Sequence, residues 1–197
     1  FQMESDMKIV AIVQARMGST RLPGKVLKKI VGIPAIEILL ARLSRSELIN
    51  EICLATSLNI ENGPLCSAIE KIGYRVIRGS EIDVLQRFWE AAAATSADIV
   101  VRVTGDCPVV DTKLVDQVIK MYWDAHVDYV SNIDPPSFPD GLDVEVFSRQ
   151  SLAAAKLGAQ SAFDREHVTP YMKKNFKVLN IHFILFYVVS CTYTLIS

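Results

Sequence analysis

Two strand-length runs with no polar face, Lys8–Gln14 (KIVAIVQ) and Asp98–Thr104 (DIVVRVT), constrain this chain more than any other feature. A strand wetted on one side alternates apolar and polar residues, whereas one covered on both sides is apolar almost throughout. Around these runs the period switches back and forth. Pro34 is placed to open a helix, where its missing N–H is not needed, and Ile36, Leu39, Leu40 and Leu43 give that helix a core face. Glu51–Ser57, Tyr74–Arg78 and Asp128–Ser131 read as further strands, and Pro64–Ile72, Val84–Thr95 and Thr112–Ala125 as helices. Strands alternating with helices predict an α/β fold of three layers, with helices on both faces of a mostly parallel central sheet. Such a sheet binds its ligands beyond the carboxyl ends of its strands.

With 197 residues the chain fits one domain, expected over 7–183. The pattern changes at Asn132. Asp134–Gly141 is rich in turn residues and Leu142–Phe147 reads as a strand, so a substrate-facing lobe is expected over about 132–175. Residues 1–6 read as the remnant of an expression tag. The stretch Ile181–Ser197 is apolar and carries no Asp, Glu, Lys or Arg; it reads as a buried strand or an aberrant chain end rather than a membrane span. Lys and Arg total 21 against 22 Asp and Glu, which argues against a nucleic-acid partner. Cys53, Cys66, Cys107 and Cys191 show neither zinc spacing nor a disulfide framework, as expected for a reduced, cytoplasmic protein.

The first buried strand runs into a polar loop bearing Arg16, Arg21 and Lys25, with Gly18 and Gly24 between them. Glycine lets backbone N–H groups approach an anion, Arg offers a planar fork to phosphate oxygens, and Lys offers a point charge. The set suits a triphosphate. A Walker loop needs four residues between its Gly and its Gly-Lys pair, then Ser or Thr; here five residues separate Gly18 from Gly24, and Val26 follows Lys25. A dinucleotide GxGxxG is missing as well.

The stretch Gln14-Ala-Arg-Met-Gly-Ser-Thr-Arg-Leu-Pro-Gly-Lys25 resembles the signature loop of cytidylyltransferases that activate acidic sugars, the 3-deoxy-manno-octulosonate and acylneuraminate enzymes among them. Asp140-Gly-Leu-Asp-Val-Glu-Val-Phe147 and Asp164-Arg-Glu-His-Val-Thr-Pro-Tyr171 are similar to the spore coat polysaccharide branch. The resemblance implies a Rossmann-like nucleotide-diphospho-sugar transferase fold and transfer of CMP from CTP to a sugar acceptor, with Mg²⁺ as cofactor and a homodimer as the assembly. It implies that Arg16, Arg21 and Lys25 act in catalysis. Nucleotide contacts are expected from Ala15, Arg16, Gly18, Ser19, Lys25, Arg78 and Gly105.

A second motif, Arg102-Val-Thr-Gly-Asp-Cys-Pro108, holds Asp106 in a turn at the end of the other buried strand. By resemblance Asp106 is the first metal-binding aspartate. The family's second, in an Arg-x-Thr-Val-Asp segment, has no counterpart in 184–197, which leaves Asp143, Glu145 or another chain to supply that ligand, or else a truncated chain that is weak as a catalyst. Asp143 and Glu145 are expected on one strand face, where they touch substrate or solvent. Arg165 and His167 are candidate substrate contacts, and Arg87 a further candidate for the site. Ser80 is expected to cap the following helix with Asp83 completing a capping box, and Asp111 to be an N-cap. The competing readings are a glycosyltransferase of the same fold, with Asp143 and Glu145 as an Asp-x-Glu, and a nucleotide-binding remnant without catalysis.

Overall fold

The computed structural model describes residues 7–19 and 21–182. In chain order the elements are β1 Ile9–Gln14, β2 Lys29–Ile30, β3 Ile33–Pro34, α1 Ala35–Leu43, β4 Glu51–Ser57, α2 Gly63–Lys71, β5 Arg75–Gly79 and α3 Val84–Ala94. They continue with β6 Ile99–Thr104, α4 Thr112–Asp124, β7 Tyr129–Ser131, β8 Glu145–Ser148, α5 Arg149–Gly158, α6 Ala162–His167, α7 Pro170–Asn175 and β9 Val178–Asn180.

Seven strands form the central sheet in the order β5-β4-β1-β6-β8-β7-β9. All run parallel except β8, which pairs antiparallel with both β6 and β7. The expected three-layer, mostly parallel α/β architecture is therefore present. β1 shows why its sequence must be apolar throughout. Ile9, Ala11 and Val13 pack with α1, α2 and α4 on one face, while Val10 and Ile12 pack with α3 and α5 on the other.

Three local expectations differ from the structure. Pro34 is the residue before α1 rather than its first turn, because it closes a two-residue hairpin with Lys29 across the turn Val31–Gly32, both at positive φ. The strand expected over 142–147 begins only at Glu145, so Asp143 lies outside it. Residues 132–175, read as a lobe, supply β8 to the central sheet, and α5 and α7 join the core formed with α3. Cys53, Cys66 and Cys107 are free and buried, and burial pushes the Cys53 thiol up to about 12. No helix among the described residues is long and apolar enough to cross a membrane. The expectations for 1–6 and for 183–197, Cys191 included, fall outside the described residues.

Candidate nucleotide site

β1 and β6 lie side by side, yet the chain leaves β1 for β4 on one flank and reaches β6, on the other, only after β5. This is a topological switch point, where parallel sheets open a crevice at their carboxyl ends. Gly105 joins the two strand ends: its N–H donates to the Gln14 carbonyl at 2.7 Å. A Cβ on Gly105 would stand 2.6 Å from the Ala15 Cβ and 3.1 Å from the Gln14 oxygen, so only glycine fits.

The loop after β1 is tied down from outside. The Met17 N–H donates to the buried Asn62 side-chain oxygen at 2.8 Å, and the Gly24 N–H to the Met17 carbonyl at 3.0 Å. Gly24 adopts φ 67°, a left-handed conformation that reverses the chain. Arg16, Gly18, Ser19, Arg21 and Lys25 are thereby brought around one cavity of about 470 Å³, floored by Gln14, Ala15, Thr104, Gly105 and Asp106.

Lys25 and Asp106 form an ion pair across this cavity, Nζ to Oδ2 at 2.5 Å. Burial alone would raise the Asp106 carboxyl; the Lys25 ammonium and the Thr104 hydroxyl outweigh it and hold the carboxyl below the usual aspartate value. Asp143 goes the other way, raised by burial first and then by the negative charges of Asp140, Glu145 and Asp106. No group of three or more His, Cys, Asp or Glu among the described residues forms a self-sufficient metal cage. One ionised carboxylate beside a loop of basic residues is a donor set that a divalent cation shared with phosphate oxygens would fit.

A second cavity, about 630 Å³, opens on the α3 side and shares Gln14 and Arg16 with the first. Glu81, Asp83, Arg87, Arg102, Arg165 and His167 line it. Arg16 pairs with Glu81 at 2.8 Å, and Arg165 with Asp83 at 2.5 Å. The Ser57 hydroxyl foremost, with Arg16, keeps the Glu81 carboxyl low against its burial. His167, at the exposed end of α6, sets its ring against Phe163. Asp83, rather than Ser80, caps α3, accepting from the Gln86 N–H at 2.9 Å; Asp111 caps α4 as expected.

Two residues expected at the site are occupied elsewhere. Arg78 lines neither cavity; its guanidinium donates to the carbonyls of Ser57, Leu58 and Asn59 and clamps the turn after β4. Glu145 is only 3% exposed. It pairs with Arg102 and accepts from the Tyr129 hydroxyl at 2.6 Å and the Thr169 hydroxyl at 2.7 Å. A carboxylate so fully used is not offered to a sugar or a metal, and Asp143 with Glu145 does not form an Asp-x-Glu site. Glu81, Arg102, Asn62 and Gln14 were not among the expected site residues. Glu81 lies within Arg78–Phe88, the segment that also carries the candidate Arg87, and the charged Arg102 inside the run DIVVRVT is the irregularity that marks it.

A family profile described as cytidylyltransferase matches residues 10–194. An uncharacterised protein of Methanocaldococcus jannaschii is 38% identical over 178 residues, covering 90% of this chain and 72% of its own length. The spore coat polysaccharide biosynthesis protein SpsF of Bacillus subtilis is 34% identical over 181 residues, 89% of this chain and 74% of its own. Among solved structures, a cytidylyltransferase from Leptospira borgpetersenii superposes with a TM-score of 0.84 at 32% identity, covering 89% of this chain and 76% of that one.

Proposed function

The chain belongs to the cytidylyltransferase family, and from that premise we propose that it transfers CMP from CTP to a hydroxyl of an acidic sugar, releasing pyrophosphate, in surface polysaccharide synthesis. The observation that carries this reading is the meeting of Arg16, Arg21, Lys25 and Asp106 around one cavity at the switch point of the sheet. Transfer of a nucleotidyl group asks little covalent chemistry of the protein; positioning and charge neutralisation dominate. The acceptor oxygen bonds to the α-phosphorus, the bond from that phosphorus to the bridging oxygen of the β-phosphate breaks, and the hydroxyl proton is released. Arg16 and Arg21 hold phosphate oxygens through their forks, and Lys25 neutralises the charge that builds on the leaving pyrophosphate. Ala15 and Gly105 belong to the floor, and Gly18 and Ser19 to the wall, of the space in which the triphosphate lies. Asp106 is the residue that would hold Mg²⁺, which supplies further charge neutralisation there. The acceptor enters from the side of Arg165 and His167. A homodimer in the cytoplasm belongs to the same reading.

The test is pyrophosphate release from CTP with Mg²⁺ and a panel of acidic sugars. Release that depends on one of the sugars supports the reading; none with any of them overturns it.

A further inference from the structure

Resting on the cytidylyltransferase reading, we propose that Arg87 in the second cavity receives the carboxylate of the acceptor and so selects an acidic sugar over a neutral one. Four arginines line this cavity. Three of them have carboxylate partners: Arg16 with Glu81, Arg165 with Asp83, Arg102 with Glu145. Arg87 makes no ion pair at contact distance among the described residues, although it is 2% exposed and the most deeply buried of the four; Glu81 and Glu90 favour its charge only from farther off.

A guanidinium carries five N–H donors. That of Arg87 makes one hydrogen bond, from Nη1 to the Ser80 carbonyl at 2.6 Å, and its Nε is buried without any partner. A buried charge with unused donors is costly unless an anion meets it, and a carboxylate matches the guanidinium fork. The side chain is also held in place. Its Cβ and Cγ pass where a Cβ on Gly79 would come within 3.1–3.2 Å, so the arginine stem packs against bare backbone.

Size and position fit a sugar acid. About 630 Å³ accommodates a monosaccharide with room for water. The shared wall of Gln14 and Arg16 sets its occupant next to whatever fills the phosphate cavity. Glu81, Asp83 and Glu166 line the same space and offer acceptors for hydroxyl groups.

The experiment measures KM for CTP and for the acceptor in the wild type, Arg87→Lys and Arg87→Gln. The acceptors are 3-deoxy-manno-octulosonate, N-acetylneuraminate and glucuronate, each beside its neutral amide. The wild type is expected to use at least one of these acids with a KM tenfold or more below that of its amide. Arg87→Lys, which keeps the charge and a donor to Ser80 but loses the fork, is expected to shrink that preference and Arg87→Gln, which removes the charge, to erase it, while the KM for CTP stays within twofold in both. A purely structural role for Arg87 would move both KM values or neither, and either result overturns the proposal. The wild-type comparison needs no variant, so equal KM for acid and amide overturns it even where the substitutions fail to fold. Thermal stabilisation by CTP alone is read in parallel. A normal CTP response with no carboxylate preference removes the Arg87 assignment only, whereas no response to CTP removes the parent reading as well.

Discussion

Lys25 holds the Asp106 carboxyl low and, in the proposed reading, meets phosphate as well, so that one ammonium would serve both. Replacing it with Met removes a charge from the phosphate cavity and is expected to lower kcat/KM about 10²-fold or more, measured by steady-state pyrophosphate release. The same change leaves the burial of Asp106 unopposed by its main cation, so the Asp106 carboxyl should titrate at higher pH than in the wild type. A carbon-detected NMR titration reads this directly, and an unchanged or lower value would contradict the pairing. In the wild type the depressed Asp106 contributes stability above the ordinary aspartate range and loses it as pH falls through its folded value; half-exposed as it is, the contribution is small. That Lys25 and Asp106 would stand at the carboxyl ends of two buried strands was legible in the sequence, each following its strand in a turn made of glycine and proline. The partners of Arg78 and Glu145 were not legible, because a side chain's partner is decided by tertiary neighbours. The carbonyls that Arg78 clamps and the Arg102 beside Glu145 come from other strands.

At the scale of elements, β6 and β8 are locked by the register that sets Arg102 opposite Glu145. Glu145 is held below the usual glutamate value although burial alone would raise it, because Arg102, Tyr129 and Thr169 all favour its charge. Its stabilising share is therefore complete at neutral pH and lost as pH falls below the ordinary glutamate range. Glu145→Gln keeps the shape but strips Arg102 of its partner, and is expected to cost about 3–5 kcal/mol, or roughly 6–20 °C in Tm for a chain of this size. Thermal melts from neutral to acid pH check it, since the gap between wild type and variant should narrow in acid. Gly105→Ala tests the junction of β1 and β6. The added methyl meets the Ala15 Cβ at 2.6 Å, so the strand ends must part and CTP binding should weaken by about tenfold or more even in folded protein. Most strands and helices from β1 to β7 were readable from periodicity, whereas the hairpin β2–β3, the start of β8, α5, α7 and β9 were not. The apolar run around 142–147 marks a strand but not which of its acids enters the ladder.

Across the whole molecule, the order of the strands does the functional positioning. Two motifs about ninety residues apart in the chain become neighbours because β1 and β6 pair in register from Ile9–Ile99 to Gln14–Thr104. The second cavity is a product of this scale and was largely illegible in the sequence: α3, α6 and the ends of β1 and β6 must assemble before it exists. Removal of divalent cations with a chelator is expected to stop pyrophosphate release, and added Mg²⁺ to restore it; release that persists after chelation would take Asp106 out of the role given to it. The triphosphate of CTP is proposed to lie in the cavity around Arg16, Arg21 and Lys25. A thermal-shift comparison of CTP, UTP, ATP and GTP with Mg²⁺ tests it most directly, because a ligand that binds the folded state raises its apparent stability. The largest rise is expected with CTP, and its loss in Lys25→Met; equal shifts with all four nucleotides, or a CTP shift unchanged in that variant, would place the triphosphate elsewhere.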